Sequence, residues 1–116
     1  MTRLAWVKDP ANEWLSFETL QLSRIGADGV YVLWYGGPRP GTIRVGKGDI
    51  ASQLKLHRND PKILAYSGLG LFVSWAEVPF LLQDGIERYL AEQLSPLIAA
   101  KCADVRQIVV NFPWAP

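Results

Sequence analysis

Most of what builds a disulfide framework, a zinc cage or a membrane anchor is missing from these 116 residues. A single cysteine, Cys102, excludes an intramolecular disulfide and fits a reducing compartment. With His57 as the only histidine, a zinc site of the usual Cys/His type is excluded as well. Charge of one sign is also scarce. Twelve Lys and Arg against 11 Asp and Glu leave a formal +1, which exerts little long-range pull on a polyanion and argues against tight, autonomous DNA binding. The most apolar stretch, Leu64 to Leu82, is broken by Ser67, Gly68, Gly70, Ser74, Glu77 and Pro79, and so falls short of the ~20 apolar residues of a spanning helix. The first residues do not read as a secretory signal, because Lys8, Asp9, Asn12 and Glu13 interrupt any apolar core. No membrane partner and a cytoplasmic location are therefore expected.

What is present is apolar and aromatic material. Hydrophobic residues make up 49% of the chain, with five Trp, enough for a sizeable core and for surface that would suit a second copy of the chain as a homodimer. The length suits one domain over residues 1–116. Within it, 1–28 read as an N-terminal lid anchored by Trp6, Trp14 and Phe17, and 99–116 as a C-terminal strand and aromatic tail. Trp14 to Leu20 fits a short helix or a strand equally well.

The centre is the stretch from Gly29 to His57. Two β-branched apolar runs, Gly29 to Trp34 and Thr42 to Asp49, flank Gly36-Gly37-Pro38-Arg39-Pro40-Gly41 and predict a β-hairpin, because Gly and Pro supply turn dihedrals that other residues avoid. Asp49 is a good N-cap for a helix from Ile50 to about Arg58, which must stop before Asp60-Pro61. Ile50, Leu54 and His57 share its inward stripe, with Gln53 beside it and Lys55 pointing away. Gly70 to Val78 is a third strand, ended by Pro79, and Asp84 to Ile98 is the main helix, which Pro96 should kink or end. Val105 to Val110 suggests a further short strand. The expected class is α/β (α+β), a small, mostly antiparallel three-stranded sheet flanked by helices.

Three short motifs fall in this frame: Gly29-Val30-Tyr31, Arg44-Val45-Gly46 and Gln53-Leu54-Lys55-Leu56-His57. Their order and hairpin spacing, with a glutamate-bearing helix downstream, resemble the GIY-YIG nuclease domain over residues 29–98. The second motif carries Arg44 where the family has a tyrosine, and the third carries Gln53 where it has an arginine. The resemblance implies divalent-metal-dependent endonuclease hydrolysis of nucleic-acid phosphodiesters, DNA before RNA. It implies Mg²⁺ or Mn²⁺ on Glu87 and Tyr31 as general base. By the same comparison Arg44, Gln53 and His57 complete the catalytic set, and Asn111 stands for the family's asparagine, though much further along the chain. The alternative is a non-catalytic module on the same fold that binds nucleic acid or a protein.

The residues themselves bear on these roles. At about 100° per residue Glu87 falls at the edge of the apolar helix face, whereas Glu92 lies with the solvent. Glu87 is also followed by Leu90 and Pro96 at the spacing of the resembled helix. A phenol, with a reference pKa of about 10, activates water only if positive charge stabilises its anion, the part expected of Arg44. Lys47, Arg58 and Asn111 are the expected substrate contacts. Gly41 to Lys47 imitates the start of a P-loop, but Gly48 stands where Ser or Thr is needed and the interior is strand-like, which excludes it. A lone His on an apolar stripe, a strand Tyr with a wet hydroxyl and a helix-edge Glu are all commoner as structural residues than as catalysts.

Overall fold

The computed structural model describes residues 1–99 and 101–114. Its sheet is organised on β2 (Asp28–Tyr35), whose residues Gly29 to Trp34 are all buried. A strand covered on both faces needs no polar alternation, and Val-Tyr-Val-Leu-Trp supplies none. The Gly-Pro turn returns the chain as β3 (Gly41–Asp49), with Gly37 at φ 89°, a dihedral glycine adopts without steric cost. The second neighbour of β2 is β4 (Leu71–Glu77), also antiparallel.

Among the described residues four strands, not the expected three, form this sheet, in the order β1-β4-β2-β3. The extra strand is β1 (Leu15–Ser16), drawn from the segment expected to be a lid; it pairs Leu15 with Val73 and Ser16 with Phe72. Two residues leave no periodicity to read, and β1 forms because β4 would otherwise present an unpaired edge. The next residue, Phe17, is fully buried, so this part of the segment belongs to the core rather than covering it.

The helices take opposite faces. Asp49 caps α1 (Ile50–His57) by accepting the Ser52 N–H at 3.1 Å, and Ile50 and Leu54 pack with Tyr31, Leu33 and Trp75. A short helix, α2 (Pro61–Leu64), follows under an Asp60 cap. On the other face α3 (Phe80–Leu94) sets Ile86 and Leu90 against Val30, Val32 and Val45. Each such side chain stabilises the fold by about 1.5–3 kcal/mol. Helix α3 begins four residues before the expected Asp84, because Pro79 presets the backbone for entry, and it ends at Ser95, a left-handed C-cap before Pro96.

The C-terminal strand expected over Val105 to Val110 is not formed. That segment spends its backbone groups elsewhere: Ile108 N–H donates to the Gly85 carbonyl at 3.0 Å, and Val110 makes one isolated parallel bridge with Thr2. Just after α3, the Leu97 and Ile98 N–H groups donate to Thr42 and Ile43 carbonyls, closing part of the free β3 edge. Among the described residues no helix is long and apolar enough to cross a membrane.

Candidate functional site

Gly46 creates the site by what it lacks. Strand register sets Tyr31 opposite Gly46 and Leu33 opposite Arg44, so Tyr31 and Arg44 share the α1 face. A Cβ at position 46 would come within 2.2 Å of the Tyr31 hydroxyl, so the phenol lies across β3 where only glycine leaves room. Its oxygen is 2.6 Å from His57 Nε2 and 3.4 Å from Gln53 Oε1. Two acceptors therefore face one hydroxyl proton, and the nearer, the imidazole, takes it.

The protonation states fit that assignment. Burial lowers the His57 pKa to about 4, with the Arg44 charge adding to the effect, so the ring is neutral at pH 7 and free to accept. Burial also raises the Tyr31 phenol above its ordinary value. Arg44 does pull it down, as expected from the sequence, but less than desolvation pushes it up, and the Glu87 carboxylate adds to the rise. The expectation of a net depressed phenol is thus corrected: Tyr31 stays protonated at neutral pH.

From the α3 side the same β3 edge receives Glu87, only 7% exposed. Burial raises its pKa, opposed by the charges of Lys47 and Arg44. Lys47, on the strand face opposite Gly46, is paired to Asp84. The Cys102 thiol lies beside Glu87, and burial and the carboxylate raise its pKa. Glu92, by contrast, is exposed and tied to Arg88 and Gln107.

The structure therefore gathers Tyr31, Arg44, Gln53 and His57 on the α1 face of β2 and β3, and Lys47, Glu87, Asp84 and Cys102 on the α3 side, the two groups linked through charge. Asp84 was legible as the residue one helical turn before Glu87. Nothing in the sequence pointed to Cys102, which arrives through the chain reversal after α3. Two expected substrate contacts are occupied elsewhere. The Arg58 guanidinium donates to the carbonyls of Phe17 and Leu20 at 2.8 and 2.6 Å, clamping the segment after β1. Asn111 accepts from the Leu4 N–H at 2.6 Å and donates to the Leu4 carbonyl at 3.1 Å, anchoring the N-terminus.

One donor at this edge stands out: Arg44 Nε is buried and has no hydrogen-bond partner among the described residues. Orphaned buried donors are uncommon and call for an acceptor. Among the described residues no group of three or more His, Cys, Asp or Glu forms a metal cage. A single buried carboxylate still fits Mg²⁺ or Mn²⁺, which keep most of an octahedral shell for water and phosphate. Comparison with protein-family models, curated proteins and solved structures finds no match to this chain.

Proposed function

We propose that this chain is a divalent-metal-dependent endonuclease of GIY-YIG type, hydrolysing nucleic-acid phosphodiesters at the β3 edge, with DNA the expected substrate. The observation that carries the reading is the Tyr31 hydroxyl hydrogen-bonded to a neutral His57, beside the unpartnered donor of Arg44.

In this reading His57 Nε2 takes the Tyr31 proton as the phenol oxygen takes one from water, whose oxygen attacks phosphorus while the P–O bond to the leaving strand breaks; the leaving oxygen takes up a proton from solvent, to which His57 afterwards releases its own. Arg44 neutralises the phenolate that forms in passing and offers N–H donors to the phosphate oxygens. Gln53 contributes an amide to the same side. Glu87 would hold Mg²⁺ or Mn²⁺, which supplies Lewis-acid neutralisation of the phosphate. Lys47 is divided between Asp84 and the substrate, which weakens it as a phosphate contact.

A second reading, a nucleic-acid- or protein-binding module without catalysis, is favoured by one observation: the Tyr31 hydroxyl is shut from solvent and its phenol is raised rather than activated. Incubation of purified protein with Mg²⁺ or Mn²⁺ and plasmid, single-stranded or branched DNA separates the two. The enzyme reading expects cleavage that Glu87→Ala abolishes; intact DNA under every condition, with the protein folded, overturns it.

A further inference from the structure

A second feature lies on the same seam between α3 and β3. Trp14, Trp34 and Trp114 converge at the hairpin end of the sheet, with Trp34 at 5.4 Å from both of the others in edge-on geometry. Together with Pro40, Thr42 and Gln93 they line a cavity of about 550 Å³, within the size range of small-ligand sites. Trp34 is fixed from behind by stacking on Phe72 at 4.6 Å and by its N–H on Ser74, whereas Trp114 is 42% exposed. Trp34 itself is only 8% exposed and forms the floor, so the stacking surface is offered by Trp14 and above all Trp114.

Charge selects among the ligands that stack. Among the described residues no charged side chain lines the cavity, so the carboxylates of a cage for methylated ammonium are missing. The face of Trp14 already carries the Lys8 ammonium, 4.1 Å from its centroid. A cation beside an aromatic cavity suits a ring joined to an anion. The amide of Gln93 and the hydroxyl of Thr42 supply a donor and an acceptor for a ring edge. Thr42 is four residues along β3 from Gly46, roughly 13 Å, and Gln93 is six along α3 from Glu87, roughly 9 Å. A few nucleotides are long enough for that interval, but the β3 edge is closed at Thr42 and Ile43 by Leu97 and Ile98, so a connecting strand passes over that segment rather than pairing along β3.

We infer that the tryptophan cavity is a stacking subsite for one unpaired nucleobase of a strand whose phosphates reach the β3 edge at Gly46. The inference deepens the nuclease reading and rests on it. The test uses EDTA-treated protein, a single-stranded hexadeoxynucleotide and its fully abasic counterpart at one ionic strength, because phosphate contacts alone vary strongly with salt. The base-bearing strand should shift the indole N–H signals of Trp14, Trp34 and Trp114 and leave that of Trp6, held on the Asn111 carbonyl, in place. Removing the bases should weaken binding about tenfold, and so should Trp114→Ala. Gln93→Glu, a change at an exposed position, should weaken it as well by placing an anion in the cavity.

Equal binding of the two strands, or shifts produced by a neutral oligosaccharide and not by the hexanucleotide, would overturn the subsite. A wild-type protein that stacks the base but cleaves nothing with Mg²⁺ or Mn²⁺ would overturn the nuclease reading and leave the subsite standing. One that cleaves abasic and normal strands alike and binds them equally would do the reverse.

Discussion

Tyr31 Oη and His57 Nε2 are 2.6 Å apart, across the gap between a central strand and the helix packed on it. The pair is shielded from water, and that shielding sets both of its protonation states: the imidazole is kept neutral and the phenol is kept protonated. Each group resists the charge it would have to carry alone. A shared proton is the arrangement that suits both.

A pH dependence of stability follows. The folded pKa of His57, about 4, is below the unfolded value of 6.5, so between these values the unfolded chain binds more protons. Stability is therefore fully present above pH 6.5 and is lost as pH falls toward 4; the His57 share of the loss is about 2 kcal/mol at pH 5. Glu87 acts with the opposite sign, because its raised folded pKa makes the native state the better proton binder in acid. The His57 part is isolated by comparison with His57→Gln. Urea midpoints at pH 7 and pH 5 should fall further in the wild-type protein than in the variant, and equal falls would show that His57 is not buried as a neutral ring.

Gly46→Ala tests the path of the phenol. The new methyl group would meet the Tyr31 hydroxyl at 2.2 Å, and the edge position of β3 offers no relief that keeps the hydrogen bond to His57. Overpacking of this kind costs about 1–3 kcal/mol. Gly26→Ala, where a Cβ meets nothing within 4 Å, is the matched control and should leave the urea midpoint within the error of measurement. If Gly46→Ala behaves like the control, the phenol does not cross the strand at this point.

Arg58→Ala and Asn111→Ala should reduce stability and leave any cleavage rate per folded molecule unchanged. Arg58 donates to two backbone carbonyls of the segment after β1, and Asn111 satisfies both polar groups of Leu4. Charge-assisted hydrogen bonds to Arg are worth about 1.5–3 kcal/mol, so Arg58 is expected to cost the more of the two. Thermal unfolding gives the stability, and single-turnover rates at saturating substrate give the chemistry. A lower single-turnover rate in a stable Arg58→Ala protein would return Arg58 to the phosphate.

These two residues also mark where the sequence misleads. Arg58 adjoins the expected motif histidine, and Asn111 was set against a family position by resemblance alone, much further along the chain; their side-chain partners across 41 and 107 residues leave no local trace. The hairpin, the Asp49 cap and the inward placement of His57 and Glu87 were legible, because turn residues, caps and a 3.6-residue period are local signals. β1 was not, being two residues long and dependent on the edge of β4. The first turn of α3 was hidden because Phe80 and Leu81 are almost fully exposed, so an apolar run at the helix start carries no periodic mark of burial. The net rise of the Tyr31 pKa was illegible for another reason. The sequence names the cation beside the phenol, but only the fold gives the burial that outweighs it.

Gln53→Arg probes both the charge and the chemistry of the site. Gln53 stands where the resembled family has an arginine, and its Oε1 is 3.4 Å from the Tyr31 oxygen. A neutral amide donates hydrogen bonds but lacks the fixed, permanently charged fork of a guanidinium. One donor to a transition state is typically worth about 10² to 10³ in rate, so a gain of at least about tenfold in cleavage is expected from the substitution. A second cation beside Tyr31 would also add to the Arg44 effect and oppose burial, moving the phenol titration, followed by tyrosine absorbance, to lower pH. The two readouts are independent. A lowered phenol titration with an unchanged cleavage rate would mean that the new charge reaches Tyr31 while phosphate is handled elsewhere, and the assignment of this edge as the catalytic one would fall.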